Sequence, residues 1–146
     1  MGLDTGYAID HINSVTKYIL EKARARILKK RYWLNDIYEA GTADGKIIYC
    51  DSHLAAKWSA SGAVKREIYD YFPNYNNTRH NPWDRKHLFI YKIAEEYLED
   101  QIPTRHKLHH YNAGKYTTHK NILKIFKKAI KELDRQKRST TYRNSY

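Results

Sequence analysis

A chain of 146 residues can bury one core and is too short for two comfortable domains. A hydrophobic fraction of 41% and an aromatic fraction of 14% exclude a disordered polypeptide, and a single cysteine, Cys50, excludes an internal disulfide framework or a thiolate metal cluster. The formal net charge of +11 points to a polyanionic partner, whether nucleic acid, an anionic membrane or an acidic protein surface.

In chain order, residues 11–30 read as a helix. Ile12, Val15, Ile19, Ala23 and Ile27 recur near the helical period, Asp10 is the candidate N-cap, and Lys29, Lys30 and Arg31 complement the dipole in the last turn. Trp33–Ala40 and Lys46–Cys50 flank a turn whose Asp44-Gly45 supplies positive-φ positions, so a short hairpin is expected there. Asp51 or Ser52 is expected to cap a second helix over 52–72, with Leu54, Ala55, Trp58, Gly62, Val64 or Lys65, and Ile68 on its inner side. Gly62 would leave room there for a neighbouring helix. Pro73 closes that helix, and PNYNNTRHNP is a polar connector.

A third helix is expected over 83–101, opened by Asn81 or Pro82 and ended by Pro103, with Leu88, Ile90, Tyr91, Ile93, Ala94, Tyr97 and Leu98 apolar. Residues 104–116 read as an irregular loop, and Thr117 or Thr118 caps a last helix over 118–136. The sum is a mainly α fold of about four helices with a short β-hairpin near residues 33–50. Residues 1–136 form one domain, and residues 137–146 a basic flexible tail. No apolar run approaches the roughly 18–20 residues that span a bilayer, and MGLDTGYAIDHINS lacks the apolar centre of a signal peptide. The expectation is a cytoplasmic protein that does not use a membrane.

Four motifs in this order carry a resemblance: ARARILKKRYW, then Ala43-Asp44-Gly45, then HLAAKWSASGAV, then HYNAGKYTTHKNILKIFKKAI. Over roughly residues 12–134 the chain resembles a family of small, mainly helical domains of unknown function found in bacteria and their phages. It differs in carrying Trp58-Ser59 where members often have Trp-Cys, and Tyr111-Asn112-Ala113 where many have Asn-Asp. The resemblance implies a compact helical domain and brings no activity with it. It also suggests a phage-encoded accessory or anti-host protein working in the host cytoplasm.

Chemistry is sparse. His106, His109, His110, Asn112 and His119 fall close together, yet the gap from His to Asn is too short for a His-Asn-His nuclease layout. His106, His110 and His119 are weak candidates for a metal, with no Cys or carboxylate near them in sequence. Ser59, Ser61 and His53 have no orienting acid, and there is no Gly-rich phosphate loop. The reading leans away from an enzyme, with no catalytic residue and no cofactor assigned. An enzyme built on the histidine-rich loop ranks third.

The last helix is more informative. Ile122, Ile125, Phe126, Ala129, Ile130 and Leu133 form a complete apolar stripe, while Lys124, Lys127, Lys128, Lys131 and Arg135 form a second stripe displaced around the axis. From Thr117 onward there are nine Lys/Arg against two acids, Glu132 and Asp134, which is seven of the eleven net charges. Like charges at i,i+4 repel, and a polyanion relieves that repulsion. Lys120, Lys124, Lys127, Lys128, Lys131, Arg135, Lys137 and Arg138 are therefore the expected contacts for nucleic acid. The alternative is an inhibitor of a host defence or metabolic protein that docks through them on an acidic surface. Oligomeric state is not legible.

Overall fold

The computed structural model describes residues 3–72 and 85–144, with side chains described for 9–72 and 87–136. The connector from Pro73, the opening of the third helix at Asn81 or Pro82, and Trp83 lie outside the described residues. The architecture is mainly helical with one small sheet: α1 Leu3–Arg26, a 3-10 turn Lys30–Tyr32, β1 Ala40–Gly41, β2 Ile47–Ile48, β3 Lys57–Trp58, α2 Ala60–Tyr71, α3 Arg85–Glu99, α4 Leu108–Asn112 and α5 His119–Asn144. Helix α1 is the centre of the packing, touching α2, α3 and α5.

Helix α1 starts earlier than expected, so Asp10 lies inside it rather than capping it. Val15, Ile19, Leu20, Ala23 and Ile27 are buried, as the spacing requires. The helix also stops four residues early. Lys29 is extended (φ −89°, ψ 133°), and the chain tightens into the 3-10 turn that carries Trp33 inward. The cations of the last turn are accordingly Arg24 and Arg26. Arg26 Nε sits 2.7 Å from Glu67 Oε1 and its Nη2 3.2 Å from Asp70 Oδ2, fastening α1 to α2.

The hairpin forms, with Ala40 opposite Ile48 and Gly41 opposite Ile47. Within this turn Gly45 alone takes a positive φ, +89°; the expectation that Asp44 would share it does not hold, and Asp44 bonds the Thr42 hydroxyl instead. A third strand, β3, pairs antiparallel with the other side of β1 to give the order β2-β1-β3. It occupies a stretch expected to be helical. Leu54, Ala55 and Trp58 have helical spacing, but Leu54 is exposed, and the Trp58 indole donates to Cys50 O at 3.1 Å.

Helix α2 therefore begins at Ala60, and neither Asp51 nor Ser52 caps it. Ser59 does, accepting from Gly62 N at 3.1 Å. Gly62 is crowded by backbone rather than by a helix: a Cβ there would lie 1.8 Å from Glu39 O, which accepts from Ser59 N at 3.0 Å. Burial works against the charge on the Glu39 carboxylate. Lys65 Nζ, 2.6 Å away, and the Cys50 amide more than offset that, and the group stays below its usual range.

Helix α3 buries Ile90, Ala94 and Leu98, whereas Leu88, expected inside, is exposed. The region read as a loop contains α4, whose first amide, Leu108 N, donates to Glu99 Oε2 at 2.7 Å. Helix α4 delivers Asn112 into the core. Fully buried, its Oδ1 accepts from Trp33 Nε1 (2.8 Å) and Ala60 N (3.0 Å), and its Nδ2 donates to Leu34 O and Asp36 O (2.8 Å each). Helix α5 opens with a reciprocal cap, in which Thr118 Oγ1 accepts from Asn121 N while Asn121 Oδ1 accepts from Thr118 N. It runs to Asn144, eight residues past the expected end at Gln136.

Two stability outcomes follow from these contacts. Gly62→Ala should cost at least about 3 kcal/mol in denaturant unfolding, because the carbonyl it strikes is backbone and cannot swing away. Asn112→Ala strands four partners, two of them in fully buried bonds, and should cost roughly 3–5 kcal/mol, against about 1 kcal/mol for Asn35→Ala, whose exposed amide donates to Asn112 O. Equal losses at Asn112 and Asn35 would contradict the assignment.

Candidate functional site

The apolar stripe of α5 packs as its spacing requires: Ile122, Ile125, Phe126, Ala129 and Leu133 are buried, with Ile130 partly so. At about 100° per residue the five buried positions fill an arc of roughly 100°. Lys120, Lys124, Lys127, Lys128, Lys131 and Arg135 fill a second arc of similar width, centred roughly 160° away. All six are exposed. From Lys120 to Arg135 the ladder is about 22 Å long. Lys137 and Arg138 continue the same helix, their side chains lying outside the described residues.

Both acids of this segment are already engaged. Asp134 Oδ1 lies 2.7 Å from Lys17 Nζ on α1. The hydrogen bond that Lys17 donates to Asp134 raises the Lys17 pKa, outweighing the opposing effect of burial. Glu132 receives Arg135 Nη2 at 2.5 Å and Nε at 3.1 Å. Arg135, followed by Gln136, lowers the Glu132 pKa, and Arg135 is raised in turn. Among the described residues, Lys120, Lys124, Lys127, Lys128 and Lys131 then have no carboxylate partner. Five ammonium groups on one face, with the nearby acids taken, make a surface of uncompensated positive charge.

The histidines do not converge. His106 Nδ1 meets the Thr104 hydroxyl at 2.7 Å, the exposed rings of His109 and His110 lie 4.2 Å apart, and His119 turns to the core. There its Nε2 lies 2.6 Å from Ile27 O, which requires that nitrogen to carry the proton, and its ring is 5.7 Å from Trp33. Among the described residues no three His, Cys, Asp or Glu side chains gather as a metal site. The Cys50 thiol is buried, and burial followed by the Glu39 charge pushes its pKa far up, away from a reactive thiolate. Ser59, the N-cap, is held by Glu39 O and Ser61.

Residues 14–132 match a family of unknown function (DUF6197). The chain belongs to that family. No curated protein and no solved structure matches it. Among the described residues no helix is long and apolar enough to cross a membrane.

The sequence reading missed two things near this face. One is Asn112, grouped with the histidines although it is a core anchor. Its signal was an amide flanked by Leu108 and Tyr111 at core spacing. The other is the end of α1, which His119 ties to the start of α5 through Ile27 O, so that Lys29, Lys30 and Arg31 follow directly on that junction. Their signal was a lack of acids: residues 22–35 and 101–131 contain no Asp or Glu.

Proposed function

We propose that this protein binds nucleic acid through the exposed cationic face of α5, as a small basic accessory protein without catalytic chemistry of its own. The observation that carries this reading is the row of five exposed lysines without carboxylate partners, set opposite the buried stripe of the same helix. A solvated face that merely keeps a protein soluble interleaves both signs, because unrelieved like charges at i,i+4 destabilise the helix. Here Asp134 pairs with Lys17 on α1 and Glu132 with Arg135, and the repulsion among the five lysines is left standing. Phosphates relieve it, and each lysine they engage releases condensed counterions. A cytoplasmic setting, and the phage or mobile-element origin that the resemblance suggests, accord with this reading. Docking on an acidic host protein, as a defence inhibitor would, uses the same charges. No contact on this face favours it over phosphate.

The test replaces Lys124, Lys127, Lys128 and Lys131 together with Gln. These positions avoid the buried stripe and Gln is a comparable helix former, so unfolding stability should stay within about 0.5 kcal/mol. Affinity for nucleic acid at low salt should fall by more than about 100-fold. Unchanged affinity would reduce the ladder to a wet surface. Absence of nucleic-acid binding by the unaltered protein, with tight binding to an acidic protein, would transfer the face to the inhibitor role.

A further inference from the structure

The two acid-free stretches meet in space. His119 Nε2 at Ile27 O joins the end of α1 to the start of α5, and Trp33 at Asn112 joins the following turn to α4. Around that junction Lys29, Lys30, Arg31, Lys115 and Lys120 are exposed and have no carboxylate partner among the described residues. Two exposed tyrosines stand among them. Arg31 lies 4.9 Å from the centre of the Tyr32 ring, and Lys115 lies 5.7 Å from that of Tyr116, which is 86% exposed.

Tyr32 also lines an open depression of about 410 Å³, together with Lys22, Arg26, Trp58 and Glu67. Its floor is fixed. The Arg26 guanidinium lies 4.7 Å over the Trp58 ring and is pinned by Glu67 and Asp70, so the one acid lining the depression is already neutralised. Lys22 at the rim is exposed, stands 5.6 Å from the Tyr18 ring and has no carboxylate partner among the described residues. A flat aromatic wall, a planar guanidinium floor whose charge is already paired, and an ammonium without a carboxylate partner at the edge suit a planar ring that carries a phosphate. The volume is in the range of small-ligand sites.

We propose that this depression seats one unpaired nucleotide of a single-stranded nucleic acid. Its base stacks on Tyr32 and its phosphate meets Lys22. The neighbouring backbone passes over Lys29, Lys30 and Arg31 toward Lys120 and α5. A duplex offers only phosphates to such a surface, because its bases are already stacked and paired. An unpaired base offers a π-face as well. The proposal rests on the nucleic-acid reading of α5 and narrows its substrate to single strands, DNA or RNA.

The test compares oligothymidylate, oligouridylate and a DNA duplex of the same length, with the folded state of each variant checked by circular dichroism. The unaltered protein should prefer the single strands. Tyr32→Ala should lower the ratio of single-strand to duplex affinity about ten-fold, and Tyr32→Phe, which keeps the ring, should restore it. Should Tyr32→Ala fail to fold, Lys22→Gln at the exposed rim should lower the same ratio by a smaller factor. A response with only one of the two oligomers supports the seat and identifies which of the two strands it accepts. A ratio unchanged in these variants while the duplex still binds overturns the seat and leaves the α5 reading standing. Absence of binding to all three ligands overturns both.

Discussion

A buried primary amide with every hydrogen-bonding position filled holds this molecule together. The Asn112 side chain has two acceptor sites and two donor hydrogens, and the four partners at 2.8–3.0 Å use all of them. Left unpaired in a core, such a group costs several kcal/mol; fully paired, it fixes geometry more sharply than an apolar residue would. Its partners come from three places: the segment after the 3-10 turn, the first residue of α2, and the Trp33 indole. Helix α4 is short because its job is local. It carries Asn112 from the Glu99 carboxylate at its start to this point.

The rest of the packing follows from that placement. With Leu34 and Asp36 fixed, the chain reaches Glu39 against α2, where only a glycine at position 62 tolerates the carbonyl. With Trp33 fixed, His119 packs beside it and reaches the last buried turn of α1, which sets where α5 begins. Lys17 and Asp134 then pin α5 farther along. Inside, the Asn112 amide is matched to a partner at every position, although Arg24 Nε is buried without a hydrogen-bond partner among the described residues. Outside, on α5 and around the junction with α1, positive charge is left unmatched. That surplus of unmatched charge on one face is the physical basis for reading it as a binding surface.

What was legible in the sequence was local. The spacing from Ile122 to Leu133 has one reading, and the helix has the face it predicts, with the lysines on the opposite side. The hairpin was visible because Gly45 marks its turn. Residues 52–58 misled because Leu54, Ala55 and Trp58 mimic a helical face. Strand pairing with β1 and the bond from the Trp58 indole to Cys50 O decide otherwise, and neither is written in local spacing. Helix α4 was hidden for the same reason: its anchor, Trp33, lies 79 residues away. The basic ladder could be read from charge alone, but the removal of Asp134 by Lys17 could not, since it needs α1 beside α5. Leu88 shows the limit of counting apolar residues, because its helix buries Ile90, Ala94 and Leu98 and leaves it outside.

The salt dependence of nucleic-acid binding tests the central claim most directly. Engagement of the five unpartnered lysines on phosphates predicts a linear fall of log affinity with log salt concentration. The slope should be at least as steep as roughly −3.5 for single strands and −4.5 for duplex DNA, from the counterions that the five contacts release. A slope shallower than about −1, or no binding even at low salt, would contradict the account.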